Sequence, residues 1–245
     1  MYTNNDVKNV VILPTFREFE SLWTLLSLIA PHLKYFDAVI ICDDTGQQFQ
    51  EQIKEGTLKI LEKNSCQLMF SFSNSKGGRG AAVHRGMEIA IKSFPNLEYL
   101  LEADSDGSHR PQDIVRILRS EQTDFKIGSR YLKESEILGW PKSRRISSYL
   151  LNKLIPRLLK LKCTDATNGL RRYSVACVRE LLRVGIKNSG FIYLSEQAVI
   201  LRKAGFSVVE TPIKFVNRTH GQSSVGLQEI RDSIFGIISI ARQSG

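Results

Sequence analysis

The stretch Tyr99-Leu-Leu-Glu-Ala-Asp-Ser-Asp-Gly-Ser-His-Arg-Pro111, YLLEADSDGSHRP, decides the fold. It opens as a short apolar run and closes in an acidic turn, with Asp104 and Asp106 on either side of Ser105, and Gly107 behind them. Three acids at alternate positions before a glycine imitate the first half of a calcium-binding EF-hand loop. That reading fails on context. An EF-hand loop follows a helix, whereas Pro95 leaves room only for a strand, and Pro111 would fall inside the loop. The stretch therefore reads as strand, acidic turn and helix start.

Outward from this point the same alternation repeats. Apolar runs of strand length occupy 9–14 (NVVILP), 36–44 (FDAVIICDD), 66–73 (CQLMFSFS), 98–104 (EYLLEAD) and 125–131 (FKIGSRY), with helix-periodic segments at 18–33, 48–63, 78–93 and 111–121. Continuous apolar strands joined by amphipathic crossovers predict an α/β fold, a Rossmann-like, mostly parallel central sheet with helices on both faces. In such sheets ligands bind beyond the carboxyl ends of the strands. Polar residues gather at those ends here: Pro14, Thr15 and Glu18; Asp43 and Asp44; Asp104 and Asp106; Ser129 and Arg130. These clusters are expected to converge on one rim.

Two carboxylates at a strand terminus can approach one hard divalent cation, Mg²⁺ or Mn²⁺, and leave coordination positions for a diphosphate. Asp106 is the expected direct ligand, with Asp104 nearer a sugar or a metal-bound water and Ser108 as an auxiliary oxygen. Glu102 is set aside as facing away from the pair.

The formal net charge of +9 implies an anionic partner. Nucleic acid is not the expected one, because aromatic-rich strands of an RNA-binding platform are absent and the polar clusters suit a mononucleotide. Cys42, Cys66, Cys163 and Cys177 show no metal-ligand spacing and read as inert, reduced thiols. The segment MYTNNDVKN has no apolar signal core, and no window approaches the ~18–20 apolar residues of a membrane span. A cytoplasmic chain that does not cross a bilayer by itself is expected.

Beyond residue 131 the pattern changes to a basic segment at 139–162 (GWPKSRRISSYLLNKLIPRLLKLK), then DATNGLRRY, a helix near 174–184, GFIYLSEQAVILRKAG at 190–205, a strand near 207–216, VNRTHGQSSVG, and a terminal segment at 226–242 with apolar residues at helical spacing. No linker interrupts the chain, so one domain is expected, read as two halves, 1–131 and 132–245.

With ILPTFREFESL, ICDDTG, KGGRGAAVHRG, EADSDGSHRP, IGSRYL, GWPKSRRISSYLLN, DATNGLRRY, GFIYLSEQAV and VNRTHGQSSVG in this order, the chain resembles glycosyltransferase family 2 of the GT-A fold, and within it the dolichyl or polyprenyl phosphate mannose synthases. The resemblance implies an inverting, metal-dependent hexosyltransferase that uses a nucleotide-diphosphate sugar such as GDP-mannose and a polyprenyl phosphate. It assigns Pro14, Thr15 and Glu18 to the nucleotide turn, with Arg17 where Asn is usual. Asp43 or Asp44 would contact the nucleotide, and Gly78, Arg79 and Gly80 would close over base and ribose. It assigns Asp104, Asp106 and Ser108 to the metal side, Arg130, Arg144 and Ser148 to the acceptor phosphate, and Arg218 to a late loop over the donor diphosphate. Two departures stand out: Ser224 replaces a usual Lys, and Asn168-Gly169-Leu170 replaces a Gly-Ser-Phe-like run.

A lipid phosphate is mostly dianionic at neutral pH and needs no strong base, only cationic positioning. A hydroxyl acceptor would need one, for which Asp165 and Glu196 are the candidates. A lipid acceptor also implies peripheral attachment to the cytoplasmic face of a membrane. The expected routes are the apolar side of 139–162 (Ile146, Tyr149, Leu150, Leu154, Ile155, Leu158, Leu159), the terminal helix, or a membrane-anchored partner subunit.

Overall fold

Every residue from Asn9 to Thr15 and from Asp37 to Asp43 is buried, and these two runs form adjacent parallel strands, β1 and β2, in register from Asn9 opposite Asp37 to Thr15 opposite Asp43. Burial on both faces is why they carry continuous apolar sequence instead of alternation. The computed structural model describes residues 3–188, 190–217, 236, 237 and 240.

β3 (Gln67–Phe72) extends the sheet beyond β2, and β4 (Tyr99–Glu102) lies on the other side of β1. β5 (Phe125–Ser129) follows, and the second half of the chain adds β7 (Arg171–Ser174) and β8 (Val208–Pro212) to the same seven-stranded sheet, in the order β3-β2-β1-β4-β7-β5-β8. All pairings are parallel except those of β7, which runs antiparallel to both β4 and β5. Because β7 is wedged between them, β4 and β5 point the same way, and Thr15, Asp43, Glu102 and Ser129 end on one rim as expected.

One face is covered by α1 (Phe19–Ile29), α2 (Gln50–Leu61) and α4 (Pro111–Leu118), the other by α3 (Arg79–Ser93), α6 (Val175–Val184) and α7 (Tyr193–Lys203). A two-stranded sheet of β6 (Glu136–Leu138) and β9 (Lys214–Val216) flanks the acidic turn, where His109 bridges to Phe215. The basic segment forms α5 (Lys142–Leu158).

The sequence pattern leaves one strand unassigned and misplaces the bounds of two elements. The segment 171–174 is a buried strand, although it carries Arg171 and Arg172: Arg171 donates to the carbonyls of Asn168 and Ala166 (both 2.8 Å) and of Leu194, and Arg172 to those of Ser120 (2.9 Å) and Glu121. The strand near 207–216 splits at Ile213, its halves entering different sheets. The helix expected over 18–33 ends at Ile29, where Ala30-Pro31-His32 turn as a 3₁₀ helix. Burial raises the thiols of Cys42, Cys163 and Cys177 to about 12 and that of Cys66 to about 11, in keeping with unreactive cysteines.

Candidate active site

The acidic turn is built as a rigid piece. Ser105 Oγ donates to the carbonyl of Pro14 (2.9 Å), fastening the turn to the end of β1, and the Ser108 amide donates to Asp106 Oδ1 (3.0 Å). Gly107 between them has φ of +79°, a region a side chain would strain. Asp106 is 4% exposed, and Asp104 more open.

Asp104 is paired with Arg79, the first residue of α3, whose Nε lies 2.6 Å from Asp104 Oδ1. The same guanidinium reaches Glu102 Oε2 (3.5 Å) and the carbonyl of Gly169 (3.1 Å). This revises one sequence expectation. Glu102 does not face away: residues two apart share a side, and Glu102 lies beneath Asp104, joined to it through Arg79. Burial pushes the Glu102 carboxyl up, against the pull of Arg79 and Arg171 and a hydrogen bond donated by Tyr173 (2.9 Å).

Sequence reasoning passed over His109 and Asn168, both buried. Asn168 Nδ2 donates to the carbonyl of Gly128, which turns Oδ1 toward His109 Nε2 at 2.8 Å. The ring proton therefore sits on Nε2, and Nδ1 accepts the Asp104 amide (3.0 Å). The histidine three residues past the second Asp of the turn, and the Asn at a departure from the family pattern, were the available signals.

The side expected to bind the nucleotide is formed by loops at the ends of β1 and β2. Asp43 folds back on Thr45, accepting from its amide (2.9 Å) and hydroxyl (2.8 Å), while Thr45 Oγ1 accepts the Arg17 amide (2.8 Å). Burial raises the Asp43 carboxyl against these bonds. Asp44 accepts the Gly77 amide (2.9 Å) and pairs with Arg85, so it anchors the loop whose Gly78, at φ of +88°, starts α3. Lys76 lies 4.8 Å from the Phe16 ring, bringing this loop against the Pro14-to-Glu18 turn. Glu18 is the N-terminal flanking residue of α1.

Of the residues expected to meet the acceptor, Arg130 is committed to Asp165, through Nε (2.7 Å), one terminal nitrogen (2.8 Å) and its own amide (3.0 Å), and to Thr167 Oγ1 (2.8 Å). Burial by itself would raise Asp165; the Arg130 guanidinium and its hydrogen bonds outweigh it and hold the carboxyl below its usual range. A fully buried carboxylate spent on an arginine is a poor base, so that expectation is withdrawn for Asp165. Glu196 accepts from the amides of Lys187 and Asn188 (both 2.9 Å) and from Asn188 Nδ2 (2.9 Å), so its carboxylate holds a loop. Ser148 Oγ lies 2.6 Å from Tyr131 Oη, and Arg144 stacks 4.0 Å from the centre of the Trp140 ring and donates to Asn217 (3.3 Å). Arg218 and Ser224 lie outside the described residues, as does most of the terminal segment.

Among the described residues no cluster of three His, Cys, Asp or Glu side chains can hold a metal alone. The acidic turn nevertheless fits a hard divalent cation. Ser108 Oγ is buried beside Asp106 without a hydrogen-bond partner among the described residues, as is Thr15 Oγ1 on the neighbouring strand. An orphaned hydroxyl next to a buried carboxylate is a costly arrangement that an oxygen-seeking ligand would relieve.

The model of "Glycosyl transferase family 2" matches residues 10–182. The chain belongs to this family. Its relatives include an undecaprenyl-phosphate mannosyltransferase of Micrococcus luteus, 29% identical over 88% of this chain and 86% of that protein, and a polyprenol monophosphomannose synthase of Mycolicibacterium smegmatis, 28% identical over 94% and 85%. Among solved structures, glucosyl-3-phosphoglycerate synthase of Mycobacterium tuberculosis, in complex with Mn²⁺, UDP and glucosyl-3-phosphoglycerate, superposes with a TM-score of 0.63 at 16% identity, covering 96% of this chain and 80% of that one. S. aureus TarS 1–349 with UDP gives 0.54 at 15% identity, covering 96% and 65%. The seven-stranded, mostly parallel sheet is thus the GT-A fold, and this family 2 member carries its acidic turn at the rim where β1, β2 and β4 end.

Proposed function

We propose that this glycosyltransferase moves a hexose, mannose in the first instance, from a nucleotide-diphosphate sugar such as GDP-mannose to a polyprenyl phosphate, with inversion at the anomeric carbon. The observation that carries this reading is the place of Asp106 and Ser108, on a rim that joins the Pro14-to-Glu18 and Gly77-Gly78 loops on one side to the Arg130 and Arg144 cluster on the other. The names of the two mannosyltransferase relatives point the same way.

Asp106, Ser108 and Asp104 would hold Mg²⁺ or Mn²⁺, which when bound spreads the negative charge growing on the departing diphosphate. Arg79 fixes the orientation of Asp104 through their ion pair. Asp43 and Asp44 shape the nucleotide loop, and Pro14, Thr15, Glu18, Gly78 and Gly80 line its turn; Arg218 is assigned a second counter-charge on the diphosphate. Residues 1–131 supply the donor half and 132–245 the acceptor half. Arg130, oriented by Asp165, would position a phosphate against donor repulsion together with Arg144 and Ser148 beside it. The commitment of Asp165 and Glu196 elsewhere favours an acceptor that arrives already deprotonated over a sugar hydroxyl. No described helix is long and apolar enough to cross a membrane, and we place the protein at the periphery of a cytoplasmic membrane face.

The test is product analysis with GDP-mannose offered polyprenyl phosphate or soluble saccharides in parallel. A mannosyl phospholipid product supports the reading; transfer to soluble hydroxyls alone refutes it.

A further inference from the structure

The donor and transfer chemistry leaves the outer surface of α5 unused. Of this helix only Asn152, Ile155 and Pro156 are buried. Ile155 and Leu159 pack inward with Ala166, Ile192 and Val199, which fixes the opposite side toward solvent. There, Ile146, Leu150, Leu154 and Leu158 form a ridge at four-residue spacing and are 60, 58, 52 and 49% exposed. The adjacent ridge, one residue back, is Arg145, Tyr149, Lys153 and Arg157. No acidic residue occurs between 137 and 164, where Lys142, Arg144, Lys160 and Lys162 add to the positive charge.

A cleft of about 290 Å³ opens beside the cationic ridge, lined by Tyr131, Tyr149, Asn152, Lys153, Arg157 and Thr164. Its inner wall leads to the acceptor cluster: Asn152 Nδ2 donates to Thr167 Oγ1 (2.9 Å), which in turn accepts from Arg130 (2.8 Å).

We infer that α5 docks the enzyme on an anionic bilayer, its leucine-rich ridge entering the acyl boundary while Lys153 and Arg157 hold a lipid phosphate headgroup at the mouth of this cleft. An apolar ridge and a parallel ridge that carries one charge sign and a tyrosine match the acyl, phosphate and interface layers of such a surface. The inference rests on the proposed function only for the identity of the lipid delivered to the rim; the docking itself requires α5 and the cleft alone.

The experiment is flotation of the full chain with phosphatidylcholine vesicles, with or without phosphatidylglycerol, at low and high salt. The wild type is expected to float with the anionic vesicles and to be released by salt. Lys153→Ala with Arg157→Ala weakens binding about 30-fold, at roughly a factor of five per charge. Leu150→Ser with Leu154→Ser abolishes binding at either salt concentration while keeping the wild-type melting temperature and solution binding of nucleoside diphosphate. Equal flotation with neutral vesicles, unchanged binding by either double variant, or a solution dimer that Leu150→Ser with Leu154→Ser dissociates overturns the inference. If flotation holds but no mannosyl lipid forms, the proposed function fails and docking stands. If lipid is mannosylated in detergent but the wild type ignores anionic vesicles, docking alone fails.

Discussion

Asn168 and His109 fix one another's orientation: Asn168 Oδ1 sits 2.8 Å from His109 Nε2, and the other ring nitrogen receives the Asp104 amide at 3.0 Å. The acidic turn is thus held from behind by a chain of hydrogen bonds running from the Gly128 carbonyl to the Asp104 backbone. An Asn side chain at 109 keeps an acceptor near the Nδ1 position, whereas a Gln projects its amide toward Nε2. His109→Gln is expected to lose about 10–100-fold in Mn²⁺-dependent affinity for nucleoside diphosphate, and His109→Asn much less, in calorimetric titration. Ring ¹⁵N shifts of the wild type should report the Nε2–H tautomer.

Gly169 presses on the Arg79–Asp104 pair. A Cβ there would lie 2.5 Å from an Arg79 terminal nitrogen and 3.1 Å from Asp104 Oδ1. Gly169→Ala should displace the guanidinium, costing about 1–3 kcal/mol in urea unfolding and lowering turnover. Arg79→Ala leaves Glu102 and Asp104 unbalanced at a buried position, and about 3–5 kcal/mol is expected to be lost.

The Arg130–Asp165 pair gives a pH signature. Because the guanidinium holds Asp165 below its usual range, the pair's stabilisation is fully present above the unfolded carboxyl pKa of ~3.9 and disappears as pH falls through the lowered folded value. Asp165→Asn should cost about 3–5 kcal/mol at pH 7 and lack that acid-dependent loss, as urea unfolding at neutral and acidic pH would show.

Arg17 occupies left-handed backbone, with φ of +57°, at the position where Asn is usual in the resembling family. Asn tolerates this region better than a long side chain. Arg17→Asn is expected to stabilise by about 0.5–1 kcal/mol, raising the melting temperature by roughly 1–4 °C.

The parallel core was legible because β1, β2 and β4 are buried on both faces and so are written as unbroken apolar runs. β7 was not, since its two arginines are satisfied by carbonyls that only the folded chain brings near. At the site, spacing placed Asp104 and Asp106 on the rim, but it gave no means of telling which cation each acid meets. Arg79, Asp165 and Glu196, expected at the nucleotide or as a base, also hold internal contacts that spacing could not show: with Glu102 and Asp104, with Arg130, and with the Lys187 and Asn188 amides. His109 and Asn168 are joined across 59 residues, a separation that no local pattern spans.

The most direct measurement is transfer from GDP-mannose to polyprenyl phosphate, with and without Mg²⁺ or Mn²⁺, by the wild type and by Asp106→Ala. Divalent-dependent formation of the mannosyl lipid, at least about 100-fold slower in the variant, is predicted. Equal turnover by Asp106→Ala, or full turnover in excess chelator, would contradict the assignment of the acidic turn.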